Sequence, residues 1–233
     1  IPFFLTRILV KEDYGSYQQL IMIYTIVQAI LIFGMPQSLL YYFPRKETHE
    51  HPLLIKQTWT ILLFSSLMVM AIFWLSSQII GTHHLKEYLV LLGIYTSLMI
   101  FVMPIQNLLT LEGKISTAMW LMVFFTIIDL AVLPSAAWLN PTTLGIVHGI
   151  IVAALLKAIM VLFHVYTTYF TKEISGNSYI KEQLAYGIPV GLTAMVYVIN
   201  VNVDKYLVGL FFSSSVFAVY YLGSLWAPIF GWI

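Results

Sequence analysis

The sequence predicts an all-α fold, a polytopic bundle of transmembrane helices, on three observations. The first is composition. Of 233 residues, 60% are hydrophobic and only 9% charged, whereas a soluble domain carries about 25% charge and 45–50% apolar residues. The second is the length of the charge-free runs, which cover residues 14–44, 57–85, 88–111, 130–156, 183–203 and 206–233; crossing the hydrocarbon core takes roughly 20 apolar residues. The third is that these runs are continuous rather than alternating, which disfavours a β-barrel. A net charge of +1, with no basic or acidic tail, gives no reason to expect nucleic acid as a partner. The absence of cysteine excludes a disulfide framework, thiolate metal sites and cysteine nucleophiles.

Taken in chain order, residues 1–9 form an apolar segment too short to cross, with neither an initiator methionine nor the basic leader of a signal peptide. Complete spans are expected at residues 17–40, 53–78, 88–110, 116–138, 144–168 and 184–210, followed by an eighth over residues 216–233. The expectation is a chain cut inside its first span and again inside or just after its eighth. Pro104, Pro134, Pro189 and Pro228 interrupt these runs. They read either as kinks around a cavity or as simple kinks tolerated in a packed bundle. Arg45, Lys46, Lys56, Lys114, Lys172 and Lys181 fall on one side of the membrane, and Arg7, Lys11, Lys86 and Lys205 on the other. The positive-inside rule makes the first side cytoplasmic.

Charges inside spans are rare and usually face a bundle interior or a wet cavity. Asp129 in the fifth span and Lys157 in the sixth lie at depths differing by roughly 5 Å, counted at about 1.5 Å per residue. Two readings follow: a neutralising intramembrane ion pair, or a solvent-facing Lys157 that attracts an anionic substrate. The seventh span carries Tyr186, Pro189, Thr193, Tyr197, Asn200 and Asp204 at spacings of three and four, one stripe of a helix. Polar groups there need partners or water, so the stripe reads as cavity lining, while Lys205, off the stripe, is expected to snorkel to the outer interface. Gln18, Thr25 and Gln28 on the second span, and Thr96, Met99, Met103, Gln106 and Thr110 on the fourth, read equally as cavity lining or as interhelical contacts. Gly145 with Gly149, and Gly187 with Gly191, have the spacing that allows close helix approach within the bundle. His49 and His51 lie across the membrane from His83 and His84, so no metal site is expected; His148 and His164 read as hydrogen-bonding or interfacial residues.

Two segments resemble a known family. One is Leu5-Thr-Arg-Ile-Leu-Val-Lys-Glu-Asp-Tyr-Gly-Ser-Tyr17, followed by Phe33-Gly-Met-Pro-Gln-Ser-Leu-Leu40 and Tyr-Tyr-Phe-Pro-Arg45. The other is Tyr186-Gly-Ile-Pro189 with Asn202-Val-Asp-Lys-Tyr-Leu-Val-Gly209 and Val219-Tyr-Tyr-Leu-Gly223. Together with the order of the spans they look like a Wzx-type lipid-linked oligosaccharide flippase of the MOP superfamily, which also includes MATE exporters.

That resemblance implies a larger transporter of two pseudo-symmetric six-span lobes around a central cavity. Residues 1–168 would form the first lobe, 169–183 a cytoplasmic inter-lobe loop and 184–233 the start of the second. The implied activity is alternating-access transfer of a polyprenyl-diphosphate-linked glycan, such as an O-antigen or capsule unit, across the bacterial inner membrane. The implied partners are that glycan, membrane lipid, a coupling ion (H+ or Na+) and the glycan polymerase and assembly proteins, with no cofactor and no catalysis. Arg7, Lys157, Asp204, Asn200, Tyr197 and Thr193 are the cavity residues so implied, the two cations for the diphosphate and the neutral groups for sugar, with Asp204 facing Arg7 or a cation. The rival transporter, a MATE-like cation-coupled multidrug exporter, predicts an acidic cavity. A membrane acyltransferase or polymerase is disfavoured, because no histidine and aspartate stand at acyltransferase spacing and the loops are short. A regulatory or adaptor membrane protein leaves the intramembrane charges unexplained.

Overall fold

The computed structural model describes residues 2–79, 83–171 and 178–224, and among them the only regular elements are helices. Lys172, Pro228 and the end of the eighth span, with the side chains of His83, His84 and Lys86, lie outside the described residues. The helices are α1 (Pro2–Ile8), α2 (Lys11–Leu31), α3 (Met35–Tyr42), α4 (His51–Ile79), α5 (His83–Val102), α6 (Ile105–Leu111), α7 (Ile115–Leu139), α8 (Thr143–Val165), α9 (Ile180–Phe211) and α10 (Ser214–Ser224). Five of the helical stretches are long and apolar enough to cross a membrane, and α2 with α3 makes a sixth if the bent pair is one span.

The expected second span is thus not one rod. Phe33 (φ 50°) and Gly34 (φ 60°) take left-handed backbone angles, which end α2, and Pro36 then opens α3. The axis turns by 41°. Gly34 occupies the turn for a second reason as well: a side chain there would run into the backbone of Gly187 on α9. Reciprocally, a Cβ on Gly191 would stand 2.8 Å from the Gly34 nitrogen. Here the Gly187 and Gly191 spacing seats one helix on another's turn. Gly149 does the same against Ala136 of α7, where a Cβ would come 2.6 Å from the alanine methyl.

Proline has unequal effects along the chain. Pro104 marks a short turn between α5 and α6, which together remain one candidate span over Glu87–Leu111, whereas Pro134 and Pro189 sit inside continuous helices. The segment 169–183 carries helix at both ends, since α8 continues through a π-helical turn to Phe170 and α9 begins at Ile180.

In lipid the solvent is as apolar as leucine, so close packing and interhelical hydrogen bonds hold helices together. Ser66 and Ser97 exchange hydroxyl-to-carbonyl bonds of 2.9 and 3.0 Å between α4 and α5. At the start of α2, Asp13 accepts from the Thr143 hydroxyl at 2.6 Å and from its backbone N–H at 2.9 Å, placing a carboxylate at the positive N-terminus of α8. Gln19 of α2 donates to the Gly209 carbonyl at 2.9 Å and accepts from the Ser214 hydroxyl at 3.0 Å, tying α9 and α10 to the same helix.

Candidate functional site

Two polar features stand out in this apolar bundle, one inside it and one on its flank. The inner feature is a cavity of about 300 Å3 lined by Tyr17, Gln18, Tyr95, Asp129, Lys157 and Tyr221, with apolar groups between them. Each side chain arrives by helical register. Tyr17 and Gln18 come from α2, Asp129 from α7 and Lys157 from α8, and the antiparallel pair α7 and α8 brings the two charges to the same depth. Lys157 Nζ lies 2.5 Å from Asp129 Oδ1. The lysine side chain is 8% exposed and the aspartate 31%, so the ammonium is the deeper partner and the carboxylate meets the cavity. Gln18 donates to the Tyr14 hydroxyl at 3.0 Å. This chemistry holds one positive and one negative charge in contact, with neutral hydroxyls and an amide around them.

The flank feature is the stripe on α9. Thr193, Tyr197, Asn200 and Asp204 are all exposed, Tyr197 at 67%, and none of them lines the inner cavity. The helix packs on α2, α3 and α4 through another face, on which Gln183, Gly187 and Gly191 are buried. Gln183, wholly buried, accepts from the Thr58 hydroxyl at 2.8 Å, and its backbone carbonyl accepts from the Ser38 hydroxyl at 3.3 Å. The stripe therefore looks away from the bundle. Its hydroxyl and carboxylate find local partners: Thr193 donates to the Pro189 carbonyl at 3.1 Å, and Asp204 accepts from Tyr220 of α10 at 2.6 Å.

Several expected placements change. Arg7 is exposed on α1 and makes no ion pair among the described residues, and Asp204 accepts from Tyr220. Lys205 is half-buried in a crevice against Gln18, Met22 and Thr25, and Asn202, one turn back, offers an oxygen that accepts from Lys205 Nζ at 3.0 Å. The polar set of the fourth span differs in burial along its length: Thr96 is buried and bonded to the Leu92 carbonyl at 2.7 Å, while Met103, Gln106 and Thr110 are exposed. His49 pairs with Glu47 at 3.3 Å and His51 stacks on Phe43. Among the described residues no three metal-ligating side chains converge.

Sequence reasoning missed the attachment of the N-terminal end of α9. Gln183 and Tyr179 look like loop residues in the sequence. Yet the Tyr179 N–H donates to Gln57 Oε1 at 2.8 Å and its hydroxyl donates to the Glu50 carboxylate. That bond holds Glu50 below the ordinary carboxylate value and pushes Tyr179 up to about 12. The available signal was a buried-type spacing, since Gln183, Gly187 and Gly191 recur every four residues.

The fold and these features define a multi-pass, all-helical membrane protein with polar groups both within and along its spans. The chain matches the family described as "Polysaccharide biosynthesis protein" over residues 2–224, and it belongs to that family. No curated protein and no solved structure matches it.

Proposed function

We propose that this chain is the first lobe and the opening of the second lobe of a Wzx-type flippase of the MOP superfamily. The protein would move a polyprenyl-diphosphate-linked oligosaccharide across the bacterial inner membrane by alternating access. On this reading residues 1–168 form one lobe, α9 and α10 begin the next, and the outward stripe of α9 lines the passage between lobes. The stripe carries the reading: a run of hydroxyl, amide and carboxylate groups along a membrane span, turned away from its own bundle, needs water or a polar cargo against it.

The cargo's chemistry fits such a surface. Sugar hydroxyls stripped of water need neutral hydrogen-bonding groups, which Thr193, Tyr197 and Asn200 supply. The anionic diphosphate needs cations, the role given to Arg7. The short contact with Asp129 supports the neutralising-pair reading of Lys157 over that of a free anion attractor. That balance also favours the flippase over an exporter of organic cations, whose cavity would be acidic. Asp204 is the group best placed on the stripe to respond to a coupling ion.

The test is made in the full-length protein, in a strain whose surface polysaccharide depends on it. Asn200→Leu and Tyr197→Leu should each reduce surface polysaccharide with the protein still present at normal abundance. Asn200→Cys, on a chain with no native cysteine over these residues, should react with a water-soluble maleimide. Normal polysaccharide in both leucine variants, together with no labelling from either side of the membrane, would overturn the reading.

A further inference from the structure

One motif is left unused by the passage along α9: Tyr41-Tyr-Phe-Pro-Arg45, at the cytoplasmic end of α3. Pro44 lies in a 3-10 turn, Phe43–Arg45, that brings the arginine back over the helix it follows. Arg45 Cζ sits 3.8 Å from the centroid of the Tyr41 ring, and Nη1 donates to the Tyr41 carbonyl at 2.6 Å. Tyr186, the first residue of the α9 stripe, stacks on Tyr41 with centroids 4.3 Å apart and planes at 20°. Two flat groups cannot share the space above one ring face, so guanidinium, Tyr41 and Tyr186 form a three-layer stack. Tyr42 closes it edge-on to both rings, at 5.0 and 5.9 Å, with its hydroxyl donating to the Glu182 carbonyl at 3.2 Å.

The stack leaves its polar groups unspent. Arginine has five N–H donors, and its one hydrogen bond among the described residues is to Tyr41. No carboxylate pairs with it there: Glu47 is taken by His49, and Glu50 by the Tyr179 hydroxyl. Glu182 contributes its carbonyl to Tyr42 and has Lys181 beside it in sequence. The Tyr41 and Tyr186 hydroxyls have no hydrogen-bond partner among the described residues. An arginine held at ring and carbonyl has already lost the rotamer freedom that weakens surface charges as binding groups. Its free fork matches a phosphate in shape and charge.

We propose that Arg45, Tyr41 and Tyr186 form an entry site for the phosphate-linked sugar head of the carrier lipid. Arg45 takes the phosphate, and the tyrosines take the first sugar through ring stacking and hydroxyl contacts. This inference rests on the flippase reading. It adds a landing point in the cytoplasmic leaflet from which a head group passes from Tyr186 to Pro189, Thr193 and Tyr197 along one helix face.

The experiment uses purified full-length protein in nanodiscs and three probes: farnesyl-diphosphate-linked N-acetylglucosamine, farnesyl diphosphate and farnesol. Losing charge-assisted bonds to phosphate should weaken both diphosphate probes about 10- to 100-fold in Arg45→Ala, and by less in Arg45→Lys, which keeps charge but not the fork. Tyr186→Ala should weaken the sugar-linked probe more than farnesyl diphosphate. Farnesol binding should not change in either variant. Wild-type affinity for the sugar-linked probe in both Arg45→Ala and Tyr186→Ala overturns the entry site, as does a wild-type protein that binds neither diphosphate probe. If those variants bind normally while Asn200→Leu still abolishes surface polysaccharide, the entry site falls and the flippase reading stands.

Discussion

Removing both Asp129 and Lys157 should harm the protein less than the two separate removals added together. In the native structure an ammonium whose side chain is only 8% exposed rests 2.5 Å from a carboxylate 31% exposed. Taking away one partner of a fully buried pair costs about 3–5 kcal/mol, mostly through the charge left behind. The cavity beside Asp129, with Tyr17, Gln18 and Tyr95 on its walls, partly solvates what remains, which brings the figure for Asp129→Ala to about 1–3 kcal/mol. Lys157→Met keeps the packing of the stem and strands only the wetter partner, so it should cost about 1–2 kcal/mol. The double variant should be more stable than the sum of the singles by about 1–2 kcal/mol. At about 2–4 °C per kcal/mol for a chain of this size, Asp129→Ala lowers the melting temperature by roughly 2–12 °C. Tryptophan fluorescence during thermal unfolding in detergent measures this, alongside surface polysaccharide in cells. Strictly additive singles would refute the coupling. A double variant that melts near wild type yet makes no polysaccharide would refute the structural role, since the charges would then serve transport itself.

Other perturbations have equally definite signs. Gly191→Ala puts a methyl carbon 2.8 Å from the Gly34 nitrogen and 3.2 Å from the Phe33 carbonyl carbon; backbone cannot yield there, so a loss of about 1–3 kcal/mol is expected, read as a lower melting temperature. Gln183→Leu removes the acceptor of the Thr58 hydroxyl and a weak donor to the Leu54 carbonyl, which should cost about 1–2 kcal/mol because Thr58 keeps its bond to that carbonyl at 2.9 Å. The Glu50 and Tyr179 contact predicts a pH profile. The folded-state value of Glu50 is depressed, so its contribution is present above about 4.5 and fades as pH falls further. Tyr179 is raised, so its contribution is present below about 10 and is lost as pH rises toward about 12. Melting curves of wild type and Tyr179→Phe should differ between these limits and converge outside them; parallel profiles throughout would show the contact to be without effect.

The spans were legible because lipid forces the issue: backbone polar groups must pair within a segment, so a long charge-free run has few alternatives to a helix. The bend at Phe33 and Gly34 was not. A glycine before a methionine and a proline permits a turn without requiring one, and what requires it is the α9 backbone pressed against it. The ion pair of Asp129 and Lys157 was open to two readings in the sequence, because equal depth follows from counting residues but rotation about each helix axis does not. The contacts of Lys205 were hidden for a similar reason, since they depend on Asn202 and on a crevice formed with α2.

The stripe on α9 marks the sharper limit. Spacings of three and four put Tyr186, Thr193, Tyr197, Asn200 and Asp204 on one face, but periodicity says which residues share a face and not what that face meets. In this helix two faces carry signals. The glycine and glutamine face, small and able to bond across a narrow gap, is the one that packs. The hydroxyl and amide face, bulkier and more polar, is left exposed. If polar groups in a span were there to hold the bundle together, Tyr197 and Asn200 would be expected inside and the glycines outside. The observed order is the reverse: the small face packs on α2, α3 and α4, and the polar face is left exposed. Exchanging the roles tests this directly: Gly187→Ala should lower the melting temperature with little change in maleimide access at Asn200→Cys, while Tyr197→Leu should leave melting within about 0.5 kcal/mol of wild type and reduce polysaccharide export. Comparable melting losses from both would mean that the exposed face also packs, and the passage would have to be sought elsewhere.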